Sequence, residues 1–249
     1  MKKAVDQFSR QAKVYKKYRP SYPPELYQLL LQAVPHRERC WDCGTGNGQV
    51  AVVLAEHFER VDATDISQQQ LNQAPQKANI HYQVERAEQT RFADHQFDLI
   101  TVAQAIHWFD FAAFYREVRR VAKPDGRIAI WGYGLLRIEA TIDALIQQFY
   151  TEIVGPYWKP ERRHIDQQYT SIEFDFSLIP MPDDLTIEIN WSLEDIKGYF
   201  NSWSSVQNYR AQHGRNPVDW IIERLAKHWA PEEQKTVHFP IFIRMGTMD

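Results

Sequence analysis

Apolar positions in the first half of the chain follow two different periods. Short apolar runs typical of strands lie at 39–42, 60–65, 80–84, 97–103 and 127–133. Helical spacing or helix-start signals mark the segments at 25–31, 49–58, 67–77 and 111–122, and a Lys-Pro-Asp-Gly turn follows at 123–126. Strands alternating with helices in this way predict βαβ units and a mostly parallel sheet. The first 134 residues are therefore predicted to form a doubly wound α/β unit.

The pattern changes after Gly134. Residues 135–150 have a helical pattern, 154–182 are aromatic and charged with little period, and 191–229 contain two or three helical stretches. The closing run at 236–244 is typical of a strand. Its Pro240 cannot donate to a ladder, which favours a position at the edge of the sheet.

Composition and charge narrow the class of protein. The 249 residues include 29 Lys and Arg against 32 Asp and Glu, so a generally basic nucleic-acid binder is not indicated. Residues 1–20 are an exception, because they carry seven Lys and Arg against one Asp. No run approaches the roughly 20 apolar residues of a membrane span. We therefore expect a cytoplasmic protein, monomeric or homodimeric, that does not bind nucleic acid or membrane.

A glycine-rich loop is the first sign of chemistry. The chain has ten glycines, and three of them fall within five residues at Gly44, Gly46 and Gly48. The loop follows the first predicted strand, which ends at Asp42, and precedes a predicted helix. Glycines let the backbone turn sharply and let a ligand approach main-chain atoms. Ligands of open α/β sheets lie at the carboxyl ends of the strands, so this loop is a candidate ligand site.

Two classes of ligand compete for such a loop. A dinucleotide site has the spacing G-x-G-x-x-G, whereas this loop is G-x-G-x-G with Asp42 two residues before it. A carboxylate there would repel a pyrophosphate and favour an ammonium group. This combination suits S-adenosylmethionine (SAM), which has an amino group and a cationic sulfur. Asp65, 17 residues after Gly48, could accept both ribose hydroxyls. Alternatively it caps the next helix, which Ser67 could do equally well.

These residues occur in an order that resembles the class I SAM-dependent methyltransferases. The chain is similar to the small-molecule subgroup that contains the trans-aconitate methyltransferases. The segments that carry the likeness are 42–48, Asp65, 87–88, 97–109, 123–126, the aromatic pattern from Phe8 to Pro23, and 203–205. The resemblance implies an α/β, Rossmann-like fold with a seven-stranded, mostly parallel sheet, helices on both faces and a helical cap insertion. It also implies methyl transfer from SAM, with S-adenosylhomocysteine as product, to a small molecule such as a carboxylic acid.

The resemblance further implies one domain over residues 1–249 and a set of site residues. Its parts would be a cofactor cover at 1–22, a SAM-binding core at 23–134, core helices plus a substrate cap at 135–230, and a strand at 231–249 that returns to the sheet. The implied cofactor-binding residues are Tyr15, Arg19, Asp42, Gly44, Thr45, Gly46, Asn47, Gly48, Asp65, Ile66, Ala87, Glu88 and Gln104. Arg86 departs from the pattern, since many relatives have Asp there. A guanidinium has only donors, so contact with adenine would fall to Glu88 or to the Ala87 backbone.

The acceptor is expected at the end of the fourth predicted strand, where His107 and Trp108 are the candidate catalytic residues. His107 could be a general base or a neutral histidine that shapes the pocket. Trp108 could form a pocket wall or simply pack in the core. The candidate acceptor-binding residues are Tyr22, His107, Trp108, Trp203 and Ser204.

Other functions have weaker support. Cys40 and Cys43 spell C-x-x-C, but on a strand their side chains leave opposite faces, and no second cysteine pair exists. We therefore expect neither a metal nor a redox centre. The open alternatives are a methyltransferase of RNA or protein and a non-catalytic SAM-binding regulator. A regulator would have its pocket filled by side chains at 104–108.

Overall fold

A computed structural model describes residues 18–248. Its strands are β1 (Arg39–Cys43), β2 (Arg60–Asp65), β3 (Ile80–Val84), β4 (Phe97–Ala103), β5 (Ala122–Tyr133), β6 (Ser177–Ile179), β7 (Thr186–Trp191) and β8 (Lys235–Thr247). Its α-helices are α1 (Pro24–Gln32), α2 (Gln49–Leu54), α3 (Gln68–Leu71), α4 (Phe111–Val121), α5 (Ala140–Gln148), α6 (Arg163–Asp166), α7 (Leu193–Asn201), α8 (Ser204–His213) and α9 (Val218–Leu225). Short 3₁₀ turns lie at Ile106–Trp108, Gly155–Tyr157 and Pro160–Arg162, and a π-helical turn spans Phe149–Ile153.

The strands form one mixed sheet in the order β3-β2-β1-β4-β5-β8-β6, with β7 also paired to β8. The strands from β3 to β5 are parallel, and β8 runs antiparallel to β5. This confirms the Rossmann-like α/β class, although the described residues form eight strands where seven were expected. The strand order reverses at β1, which lies between β2 and β4. A crevice for a ligand opens at such a switch point, outside the carboxyl ends of the strands.

Two apolar cores cover the two faces of the sheet. Cys40 packs in one core with Leu54, and Cys43 packs in the other with Phe97. The C-x-x-C side chains therefore leave β1 on opposite faces, as predicted. Both thiols are free, and burial raises their pKa, which keeps them protonated and unreactive. Across residues 18–248, no group of His, Cys, Asp and Glu side chains could hold a metal ion.

The prediction that Pro240 lies on a sheet edge is wrong. The first half of β8 pairs with β7 up to Pro240, its second half pairs with β5 from Ile241, and β6 pairs on the other side at residues 245–247. Pro240 is tolerated because it lies just beyond the last paired residue of β5, Tyr133, where its carbonyl accepts the N–H of Gly134 at 2.9 Å. The missing N–H therefore removes a bond only at the end of the ladder.

Several element boundaries differ from the expectation for identifiable reasons. The helix predicted at 67–77 ends at Leu71, four residues before Pro75. The helix predicted at 135–150 begins only at Ala140, because Arg137 is extended and bridges to His238. The turn predicted at 123–126 lies inside β5, opposite a register shift in β4. Three helices, α7 to α9, occupy 191–229 as expected. No helix among the described residues has the length and apolar character to cross a membrane.

Candidate functional site

The glycine loop between β1 and α2 has a backbone that needs glycine. Gly44, Gly46 and Gly48 have φ values of +70°, +57° and +80°. A Cβ on Gly44 would lie 2.6 Å from Cβ of Ala105, and one on Gly48 would lie 2.5 Å from Oη of Tyr82. A Cβ on Gly46 would meet no protein atom within 4 Å. Gly44 and Gly48 thus serve packing, whereas Gly46 leaves open space at the site.

Asp65 at the end of β2 is tied to this loop. Its Oδ2 accepts the N–H of Gly46 at 2.9 Å, and its Oδ1 accepts the N–H of Ser67 at 2.8 Å. The cap of α3 is Ser67, whose hydroxyl oxygen accepts the N–H of Gln70. Asp65 is therefore not the side chain that caps α3, and its carboxylate lines the cavity beside the loop.

Asp42, near the carboxyl end of β1, is a carboxylate that is almost completely buried from solvent. Its side chain is buried, with only 1% of the residue exposed. It accepts hydrogen bonds from the hydroxyls of Thr45 and Thr101, the latter at 2.9 Å. Burial raises the pKa of Asp42 to about 6, and these hydrogen bonds oppose the rise. Asp42 is therefore charged at neutral pH, and a cation beside it would stabilise that charge.

A first cavity of about 150 Å³ opens at the carboxyl ends of β1, β2, β4 and β5. The predicted residues that line it are Arg19, Tyr22, Asp42, Gly44, Thr45, Gly46, Asn47, Asp65, Ile66, Ala87, Glu88, Gln104 and Trp108. Sequence reasoning missed other lining residues, among them Gln49, Glu85, Phe109 and Tyr133. Tyr133 had a usable signal, since it ends a predicted strand at the same sheet edge. Among the described lining residues, four are carboxylates and one, Arg19, is a cation.

Glu88 and Arg86 form an ion pair at the rim of the first cavity. The guanidinium Nη2 of Arg86 lies 3.2 Å from Oε2 of Glu88. The other carboxylate oxygen, Oε1, accepts the N–H of Asp110 at 3.1 Å. Arg86, the residue that departs from the expected pattern, is thus held by Glu88, and the intervening Ala87 lines the cavity.

Gln104 follows β4 with a strained backbone. Its φ of +53° lies in the left-handed region, which costs a non-glycine residue about 1–2 kcal/mol. Its Nε2 donates to the carbonyl of Tyr133 at 3.1 Å, whereas its buried Oε1 has no partner within residues 18–248. Strain and an unpaired acceptor are features of ligand-binding positions.

A second cavity, of about 50 Å³, adjoins the first. The two share Arg19, Gln104 and Trp108 as lining residues. The residues that line only the second cavity are His107, Trp158, Lys159, Arg162, Ile165 and Ser204. No sequence signal indicated Trp158 to Ile165 as a unit, because that segment has no regular period.

His107 is buried beside this second cavity and is held by a tyrosine. Its Nδ1 lies 3.1 Å from the phenol oxygen of Tyr169. Tyr169 and the preceding Gln168 have φ values of +58° and +51°, so this pair of residues is strained. Sequence reasoning missed Tyr169, which is distant in sequence and lies in the segment without period.

Three predicted site residues lie elsewhere than expected, and a fourth lies outside the described residues. Trp203 lines neither cavity, because its ring packs among Phe149, Phe200 and other aromatic side chains of the core. Gly48 also lines neither and packs against Tyr82. Tyr22, expected to contact the acceptor, lines only the first cavity. Tyr15 lies outside the described residues.

Comparisons with known proteins match this architecture. A family described as "Methyltransferase domain" matches residues 41–130. A candidate methyltransferase from Dictyostelium discoideum is 33% identical over 246 residues, which cover 96% of this chain and 93% of that protein. The structure of a candidate type II methyltransferase from Anaeromyxobacter dehalogenans superimposes with a TM-score of 0.86 at 37% identity, covering 93% of this chain and 98% of that one. The chain therefore belongs to the class I methyltransferases, whose methyl donor is SAM.

A more distant structure shares the fold alone. Phosphoethanolamine N-methyltransferase 2 from Haemonchus contortus, solved with phosphomonomethylethanolamine and S-adenosylhomocysteine, has a TM-score of 0.50 at 16% identity. That alignment covers 99% of this chain and 61% of the other. The narrower resemblance to the trans-aconitate subgroup stays a prediction.

Proposed function

We propose that this methyltransferase transfers the methyl group of SAM to a small-molecule acceptor, with a carboxylic acid as the favoured class. The observation that carries the proposal is the arrangement of two adjoining cavities. One lies on the glycine loop, the other lies beside His107, and Arg19, Gln104 and Trp108 are common to both. Such a shared wall would let the donor and the acceptor meet.

The residues of the first cavity fit SAM. Asp42 would hold the ammonium group of the methionyl end, because a buried carboxylate gains from a nearby cation. Asp65 would accept the ribose hydroxyls, since it lines the first cavity and a carboxylate oxygen can accept more than one hydrogen bond. The open face at Gly46 gives a ligand access to the backbone. Ala87 and Glu88 would border the adenine.

The chain's contribution to the reaction is alignment and exclusion of water. SAM supplies an electrophilic methyl group that already carries its leaving group. Trp108, on the lining of both cavities, would limit the directions from which an acceptor can approach. A carboxylate acceptor needs no base, whereas a hydroxyl or amine must lose a proton. His107, held at Nδ1 by Tyr169, is the side chain that would take this proton.

The alternative functions fit less well. A regulator would have its pocket filled at 104–108, but Gln104, His107 and Trp108 line open space. The second cavity has room for a small group, which supports a small molecule over RNA or protein as acceptor. Assembly as a monomer or homodimer stays a prediction.

Two measurements test the proposal. Calorimetry should show binding of SAM and S-adenosylhomocysteine, with NAD as the comparison ligand. Incubation with methyl-labelled SAM and a panel of small acids, phenols and amines should label at least one acceptor. Tight NAD binding without retention of SAM would refute the donor assignment, and labelling of RNA or protein in place of small molecules would refute the acceptor assignment.

A further inference from the structure

The charged side chains that line the second cavity are all positive among the described residues. Its lining contains the cations Arg19, Lys159 and Arg162, and no carboxylate among the described residues. Asp166 lies behind the lining, 3.4 Å from Nε of Arg162, and offsets one of these charges. The cavity therefore keeps an excess of positive charge beside the position expected for the acceptor.

Contacts with Tyr150 and Trp158 fix the orientation of the Arg162 guanidinium. Its Nε donates to the phenol oxygen of Tyr150 at 2.8 Å. Its guanidinium carbon lies 4.7 Å from the ring centre of Trp158 and 5.5 Å from that of Tyr150. Stacking of this kind holds the planar group in one position and lowers the entropy lost when a ligand binds.

The open end of this guanidinium is available to a ligand. Within residues 18–248, the side-chain hydrogen bond that Arg162 donates comes from Nε, so the N–H groups of both terminal nitrogens remain as donors for a ligand. Two terminal N–H groups in one plane match the two oxygens of a carboxylate or of a phosphate. Lys159, three residues earlier, adds a second positive charge at the same cavity.

We propose that the second cavity is an oxyanion subsite for the acceptor, in which Arg162 and Lys159 bind a carboxylate or phosphate group. This inference rests on the proposed function, because the cavity is an acceptor site only if the first cavity holds SAM. The subsite selects acidic acceptors over neutral ones of the same shape. Arg162 is then the specificity-determining residue, and the reacting atom lies toward the wall shared with the donor.

The test measures binding of probe anions to protein saturated with S-adenosylhomocysteine. Titration calorimetry at constant ionic strength compares succinate, inorganic phosphate and the neutral analogue succinamide. The variants are Arg162→Gln, Lys159→Gln and, as matched control, Arg163→Gln, because Arg163 is the exposed neighbour that lines neither cavity. Lys159→Gln keeps the contacts of Arg162, so it remains informative if Arg162→Gln fails to fold.

The expected result is binding of succinate or phosphate but not of succinamide. Arg162→Gln should weaken it about tenfold or more, Lys159→Gln should weaken it less, and Arg163→Gln should leave it unchanged. Preference for succinate over phosphate, or the reverse, identifies the oxyanion. Equal anion affinity in wild type and Arg162→Gln, or no anion binding while S-adenosylhomocysteine binds, overturns the subsite. Failure of S-adenosylhomocysteine itself to bind overturns the proposed function instead.

Discussion

The two cavities of this methyltransferase carry opposite charge although they share a wall. The first is lined by four carboxylates, Asp42, Asp65, Glu85 and Glu88, against the single lining cation Arg19; Glu85 and Glu88 form ion pairs with Arg91 and Arg86 outside the lining, which leaves Asp42 and Asp65 as the carboxylates that make the cavity acidic. The second is lined by Arg19, Lys159 and Arg162 with no carboxylate among the described residues. An acidic cavity suits a donor with ammonium and sulfonium groups, and a basic cavity suits an anionic acceptor.

This difference suggests that two parts of the chain bind the two ligands separately. The acidic cavity is built mainly from the loops that follow β1, β2 and β4, whereas two of the three cations of the basic cavity come from residues 158–165. Charges in a cavity shielded from water act more strongly than on an open surface. Substitutions in one cavity should therefore change one ligand's affinity and leave the other ligand's affinity unchanged.

The largest effect is expected for Asp42→Asn. SAM affinity should fall by about 150-fold, or roughly 3 kcal/mol, because the variant removes one partner of a buried charge pair. Asp98→Asn is the matched control. Asp98 is a buried aspartate on the neighbouring β4 that accepts the N–H groups of Glu38 and Arg39, so its loss should lower stability and spare SAM affinity. Calorimetry and thermal unfolding measure both, and unchanged SAM affinity in Asp42→Asn would contradict the charge comparison.

His107→Ala should affect the second cavity, where the acceptor is expected, more than the first. We expect turnover to fall by about 100-fold on a hydroxyl or amine acceptor, which must lose a proton, and by much less on a carboxylate, with less than about threefold change in SAM affinity. Tyr169→Phe removes only the phenol that holds Nδ1, so it should lower turnover less and shift its pH profile. Steady-state kinetics against pH separates the two variants. Unchanged turnover in His107→Ala would remove this residue from the catalytic set.

The acidity of the first cavity predicts a pH dependence. SAM affinity should decrease up to tenfold per pH unit as pH falls below about 6, because protonation removes the charge of Asp42. The raised pKa also means that the ligand-free folded state binds this proton more readily than the unfolded chain. The contribution of Asp42 to stability is therefore lost as pH rises toward 6. Calorimetry at several pH values should show the dependence in wild type and lose it in Asp42→Asn.

Two glycine substitutions should have the smallest effects on SAM affinity and separate packing from binding. Gly48→Ala should lower the free energy of unfolding by about 2 kcal/mol, through left-handed strain and a clash with Tyr82 and Ala74. The added methyl of Gly46→Ala contacts no protein atom, so backbone strain alone should lower the free energy of unfolding, by about 1 kcal/mol. The same methyl should weaken SAM binding several-fold. Denaturant unfolding and calorimetry measure the pair. The reverse ranking of the two variants in SAM affinity would show that Gly46 does not face the ligand.

Much of the acidic cavity could be predicted from the sequence. The bounds predicted for β2, β3 and β4 match the structure, and Asp42 and Asp65 lie at the predicted strand ends. These features are local, because a strand, a turn and the following helix are encoded within about ten residues. The basic cavity was mostly missed, since Lys159, Arg162 and Tyr169 come from a segment without period. Trp203 was assigned to the acceptor site but packs in the aromatic core, because a tryptophan looks the same in sequence in either place.

The amino-acid sequence by itself determined the α/β class, the glycine loop and the carboxylates near the carboxyl ends of β1 and β2, because hydrophobic period and turn chemistry act over short stretches of chain. Tertiary structure alone decided that Pro240 lies inside the sheet, that Tyr169 contacts His107 across 62 positions, and that Arg162 faces a cavity beside Gln104. Those contacts join segments with no local signal for each other. They are selected by packing and by the pairing of buried polar groups, which exist only once the chain has folded.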